Sequence, residues 1–134
     1  MRVFLDTNVL ISAYGARGLC ADVLRLVLTE HEMVTGEVVL EELDRVLRKK
    51  ARLPADAVEE IVANLRQYPV QPKPERVGSV HVRDEDDAWV LASALQAGAD
   101  VLVTGDRDLL DIAGQVTELR IVHPRGFWEL HRGP

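Results

Sequence analysis

The chain alternates short apolar runs with segments of helical period, and that alternation leaves few folds open to it. Residues 3–5, 33–35, 80–82, 101–104 and 119–122 predict strands. Helices are expected over 9–14, 19–28, 36–50, 54–67, 84–97, 107–113 and 124–131, with a loop at 15–18. In 36–50, Val39, Leu40, Leu43, Val46 and Leu47 share one helical face while Glu41, Asp44, Arg45 and Arg48 share the other. The stretch 69–78, with three prolines, reads as a connector within one domain spanning 1–134, because the segment beyond it is too short to fold alone. A strand, a helix and a further strand in that order form a parallel crossover unit. The expected class is therefore α/β, a parallel sheet with helices on both faces.

A parallel sheet gathers the carboxyl ends of its strands along one edge, where open α/β sheets bind ligands. Asp6 directly follows Val3-Phe4-Leu5 and Asp106 follows the run 101–104, so the two are expected to be neighbours. The helix after the third strand opens at the same edge with Asp84, Glu85, Asp86 and Asp87. Glu42 joins them only if its helix lies across the mouth of the site; helical phase favours Glu42 over Glu41, since position 42 borders the apolar side. Four acids brought together repel one another and resist ionisation. A divalent cation that prefers hard oxygen ligands, Mg2+ or Mn2+, removes that cost. Such an ion activates water and neutralises phosphoryl charge, so the chemistry expected is metal-assisted phosphodiester hydrolysis.

Each acid also has a plainer reading. Asp6 suits a helix cap and Asn8 a turn; Glu42 suits a solvated helix face; 84–87 suits the acid-rich first turn of a helix; Asp106 and Asp108 suit caps of the helix from 107. The constellation favours the site reading for Asp6, Glu42, Asp87 and Asp106, and the three-residue spacing of Asp84 and Asp87 puts both on one side of a turn. Asp108 is assigned the capping role.

The net charge of −6 weighs against a nucleic-acid partner until its distribution is considered. Without Asp6, Glu42, Asp84, Asp86, Asp87, Asp106 and Asp108 the balance becomes +1, which leaves room for basic patches. Arg45, Lys49 and Arg52 form a candidate stripe for an RNA backbone, equally explained as a solvated helix face; Arg17 and Arg107 are weaker candidates. With six aromatic residues, base stacking is not an obvious source of affinity, and Phe127 and Trp128 are expected to pack the last helix on the sheet. His31, His81, His123 and His131 fall in no paired spacing and read as surface or packing residues, and Cys20 reads as a small buried hydrophobe. There is no Gly-rich phosphate loop, no membrane-length apolar run and no signal-peptide pattern before Asp6, so a cytoplasmic location is expected.

The segments FLDTNVLISA, EVVLEELDRVL and RDEDDAWVLASALQAGADVLVTGDRDLL together resemble the PIN-domain nucleases, in the VapC-like branch of toxin components of toxin-antitoxin systems. The likeness runs over nearly the whole chain. It implies a three-layer α/β/α fold with a five-stranded parallel sheet, Mg2+ or Mn2+ dependence and endoribonuclease activity. Asp6, Glu42, Asp87 and Asp106 match the family's four acids, with Asp6, Asp87 and Asp106 as metal ligands. Asp84 matches an auxiliary acid, and Asn8 and Thr104 match small polar positions that orient carboxylates or waters. The resemblance further implies an antitoxin partner and a homodimer. Two other functions stay open: a phosphatase with Asp6 as nucleophile, disfavoured because Asn8 stands where such enzymes place a second Asp, and a PIN scaffold that binds RNA or protein without cutting.

Overall fold

The computed structural model describes residues 1–15 and 18–132 of the 134-residue chain, so Arg17 lies outside the described residues. Its strands are β1 (Arg2–Leu5), β2 (Glu32–Gly36), β3 (Val70–Gln71), β4 (Val101–Val103) and β5 (Arg120–Val122). Its helices are α1 (Thr7–Gly15), α2 (Leu19–Glu30), α3 (Glu37–Lys49), α4 (Ala55–Leu65), α5 (Glu85–Gln96), α6 (Arg107–Leu110) and α7 (Pro124–His131), with a 3-10 turn at Ala113–Gln115. The strands form one sheet in the order β3-β2-β1-β4-β5, every pair parallel. Val3 lies beside Met33 and Val101, and Leu5 beside Val103. Val3, Phe4, Leu5 and Leu102 are fully buried, as the central strands of a sheet covered on both faces must be.

The chain runs from β1 outward through β2 to β3, then crosses back to β4 and β5. That reversal beside β1 makes a crevice at the carboxyl ends of β1 and β4, the place where such sheets receive ligands. Right-handed crossovers send α5 to the face opposite α1–α4. In the packing, α1 meets α2 and α3, α3 meets α4, and α5 meets both α6 and α3.

One strand differs from the sequence expectation. Residues 80–82 make no strand; the third strand is Val70–Gln71, inside the stretch read as a connector. It pairs Val70 with Thr35 and Gln71 with Gly36, and Thr35 N–H donates to Pro69 O at 3.0 Å. Pro69 and Pro72 bracket it, and because proline has no N–H to give a ladder, they confine it to two residues at the sheet edge. The alternation Val80, Val82 is satisfied by side-chain packing instead: Val82 is buried, and both line a small cavity with Ala88, Leu91, Ala92 and Leu95 of α5.

Two glycines fix how α5 sits. A Cβ on Gly36, at the end of β2, would run into Ser93 Oγ and stand 3.4 Å from Phe4, so the bare backbone lets α5 lie directly against the sheet. At its other end, Gly98 takes φ +68, the left-handed conformation that closes a helix.

Candidate metal centre

Asp6 continues β1 by one residue, its N–H donating to Val103 O at 3.0 Å, and its side chain is only 2% exposed. Three donors hold the carboxylate. Oδ1 accepts from Thr7 N–H at 2.7 Å, and Oδ2 accepts from Thr104 Oγ1 at 2.7 Å and from Asn8 Nδ2 at 3.0 Å. Thr104 Oγ1 in turn accepts the N–H of Asp106 at 2.9 Å, and Asn8 Oδ1 accepts the N–H of Gly105 at 3.0 Å. Asn8 and Thr104, singled out in the sequence, therefore tie the ends of β1 and β4 together around one carboxylate. This is not helix capping, whose bond would go to the second or third amide of α1. Burial pushes the Asp6 carboxyl up to about 6; the bonds from Thr104 and Thr7 pull it down, and the charges of Glu42 and Asp106 push it further up.

Asp87, in the first turn of α5, is 9% exposed. Its Oδ2 is buried without a hydrogen-bond partner. Burial holds its carboxyl well above the usual carboxylate range; a hydrogen-bonding contact with Asp106 and the charges of Asp106, Asp6 and Asp84 add to that. Two carboxylates in contact are favourable only with a proton or a cation between them. Asp84 caps α5, its Oδ1 accepting from Asp86 N–H at 2.8 Å, and Asp106 caps α6, its Oδ1 accepting from Asp108 N–H at 2.8 Å. The capping reading thus holds for one oxygen of each.

Carboxylate oxygens of Asp84, Asp87 and Asp108 lie within 4.8 Å of one another. The sequence pattern assigns Asp108 only a cap to make, yet among the described residues it is Asp108 that stands with Asp84 and Asp87 at this distance, while Asp6, Glu42 and Asp106 lie outside that group of three. The motif around Asp108 carried no signal, but the order of elements did: α5 and α6 both open on the carboxyl edge, which turns their first turns toward each other.

The residues present fit a hard divalent cation. They offer oxygen ligands alone, the unpartnered Asp87 Oδ2 is aimed among other acids, and among the described residues no ion pair includes Asp6, Glu42, Asp84, Asp87, Asp106 or Asp108.

Glu42 is half-buried on α3 while Glu41 is exposed, in the helical phase expected, and its charge reaches Asp6. Glu42 and Arg45 line a cleft of about 320 Å³ with Val38, Glu41, Lys73, Asp86, Trp89 and Val90. Of the basic stripe, Arg45 borders this cleft; Lys49, at the end of α3, and Arg52 are exposed one turn and more farther from the acid edge. Arg107 is exposed beside Asp106. A second cleft, of about 430 Å³, is lined by Asn8, Ser12, Cys20, Asp106 and His123, among others. His123 caps α7 through Nδ1, while His31 packs edge-on against both Phe127 and His131, and His131 stacks at a tilt on Phe127. Phe127 is fully buried and Trp128 packs against the core.

Comparison with known proteins places this arrangement in a family. No curated protein matches the chain in sequence. Solved structures similar in fold include VapBC2 from Rickettsia felis bound to a promoter DNA fragment (13% identity, 92% of this chain and 98% of that chain covered, TM-score 0.62). VapBC-1 from nontypeable Haemophilus influenzae is similar at 18% identity, with 93% and 99% covered and a TM-score of 0.63. Mycobacterium tuberculosis VapC20, a toxin that cleaves the sarcin-ricin loop, is similar at 20% identity, with 88% and 98% covered and a TM-score of 0.60. A family model for the PIN domain matches residues 2–108, a span that holds every acid of the cluster, and the chain belongs to the PIN-domain family.

Proposed function

We propose that this chain is a single-domain endoribonuclease that hydrolyses RNA phosphodiester bonds with the help of Mg2+ or Mn2+, and that it serves as the toxin of a toxin-antitoxin pair. The observation that carries the reading is the buried, unpartnered Asp87 Oδ2 among acids that no cation of the described chain neutralises. Asp6, Asp87 and Asp106, with Asp84, Asp108 and Glu42 around them, would hold the ion. When bound, the ion polarises the scissile phosphate and lowers the pKa of an attacking water.

The chain's own groups supply the rest. Thr7, Asn8 and Thr104 fix both oxygens of Asp6, so the carboxylate is oriented before substrate arrives and costs no reordering in the reaction. Asp87, whose carboxyl is held above the usual carboxylate range by burial and by its acidic neighbours, is suited to take the proton of the water whose oxygen bonds to phosphorus as the phosphorus–oxygen ester bond breaks. The phosphatase alternative stays disfavoured because Asn8 stands where such enzymes place a second Asp.

The toxin role, an antitoxin partner, a homodimeric state and a cytoplasmic location follow from the resemblance to VapC-type proteins and from the VapBC assemblies among the similar folds. No helix among the described residues is long and apolar enough to cross a membrane. The test is a labelled-RNA assay with Mg2+, Mn2+ or chelator on the wild type, Asp6→Asn and Asp87→Asn. Metal-dependent cleavage lost in both variants is expected. Cleavage that survives both changes overturns the site assignment, and no cleavage by the wild type on any RNA favours the binding scaffold.

A further inference from the structure

The cleft between α3 and α5 contains an aromatic ring that the core does not use. Trp89 follows Asp87 by two residues on α5 and is half-buried, yet it lines this cleft while Trp128 packs against the core. Lys73 Nζ stands 5.7 Å from the centre of its ring, and Arg45 lines the same space from α3. At about 320 Å³ the cleft is at the low end of ligand-pocket sizes, which suits one nucleoside. It lies beside the acid-bearing edge, since Glu42, whose charge acts on Asp6, forms part of its wall.

We propose that Trp89 is a stacking platform for an unpaired base of the RNA, next to the one at the scissile phosphate, with Arg45 and Lys73 meeting that nucleotide's backbone. This deepens the nuclease reading and rests on it for the identity of the strand. A base stacked on indole is held by its π-face, which every base has, and cations beside it answer the phosphate. The three acids of the wall, Glu41, Glu42 and Asp86, repel a phosphate and so orient the nucleotide, its charged group toward Arg45 and Lys73 and its neutral base toward the ring. Lys73 is free to make the exchange: its weak contact over the indole gives way to the base, and its long side chain swings to the phosphate. Because a base must leave its helix to stack this way, the site selects single-stranded segments.

The chain has two tryptophans, so Trp128→Phe leaves Trp89 as the sole tryptophan, excited selectively at the red edge of its absorption. Combined with Asp6→Asn to prevent cutting, this protein is titrated in Mg2+ with a ten-residue oligoadenylate and with an abasic ribose-phosphate strand of equal length. Saturable quenching by the oligoadenylate and little by the abasic strand is expected. In the otherwise wild-type enzyme, Trp89→Ala should raise KM roughly 5- to 150-fold with a smaller change in kcat, and Trp89→Phe should retain most of the affinity. Binding without quenching, equal quenching by both strands, or an unchanged KM in Trp89→Ala overturns the proposal. A wild type that cuts no RNA while Trp89 is still quenched sinks the nuclease reading and leaves this one standing.

Discussion

At the amino-terminal edge of the sheet, Asp100 Oδ2 takes the N–H of Arg2 at 2.8 Å and Glu32 pairs with the Arg2 guanidinium at 3.7 Å, both in solvent. At the carboxyl-terminal edge, Asp6 and Asp87 are buried, the charge of Asp106 acts on both, and no lysine or arginine of the described residues pairs with any of them. The same residue type sits at both ends of the same strands with opposite consequences. Where a fold disposes of acids structurally it gives them water or a cation of its own; where it buries them against one another, a bound proton or a cation is needed to balance them.

The comparison breaks most directly by neutralising one acid at each edge. Asp87→Asn should cost more than the roughly 10- to 100-fold that loss of an outer hydrogen-bond partner costs a metal site, measured as metal-dependent RNA cleavage. Asp100→Asn should leave the rate within about 2-fold, since its partner is an exposed backbone amide that water can satisfy. Equal losses in the two variants would mean that burial and crowding do not set the edges apart.

The next effect is on stability. The Asp6 carboxyl rises from 3.8 to about 6 on folding, so between about pH 4 and 6 the native state keeps a proton that the unfolded state has lost. The metal-free protein is therefore destabilised as pH rises through that window, on the order of 3 kcal/mol from Asp6 alone. Asp87 shifts in the same direction and adds to the loss. Thermal melts in chelator should show Tm falling toward neutral pH, a decline that saturating Mn2+ flattens. Asp87→Asn should raise the metal-free Tm at pH 7 while weakening the response to metal.

How much of this was readable from the sequence depends on whether the signal is local. Helical phase alone separated Glu42 from Glu41, and the strand-then-acid pattern placed Asp6 and Asp106, because periodicity and element order determine direction. The third strand was not readable: Val70–Gln71 is two residues between prolines, below the length at which alternation means anything, and it exists because β2 offers it an edge. Val80 and Val82 have the alternation without the partner. Asp108 was missed for the same kind of reason, since its place depends on α5 and α6 meeting. Trp89 could be told from Trp128 only by what each touches.

A smaller perturbation probes how α5 is held at the carboxyl edge. Gly36→Ala forces a methyl against Ser93 Oγ and should cost about 1–3 kcal/mol in chemical denaturation, with part recovered in the double variant carrying Ser93→Ala. Full additivity of the two changes would show that the contact does not set the position of α5. Smallest of all, Glu32→Gln at the opposite edge removes an exposed ion pair at 3.7 Å and should change stability by less than about 1 kcal/mol.

The central claim is that the crowded edge is a cation site, and Mn2+ titration calorimetry at pH 6 in two buffers of different ionisation enthalpy tests it without any substrate. The account predicts saturable binding with proton release, because the Asp6 carboxyl, pushed up to about 6, still holds part of a proton that the cation displaces; Asp87→Asn should weaken the binding sharply. Binding that persists unchanged in both Asp6→Asn and Asp87→Asn, or no binding by the wild type at millimolar Mn2+, would contradict it.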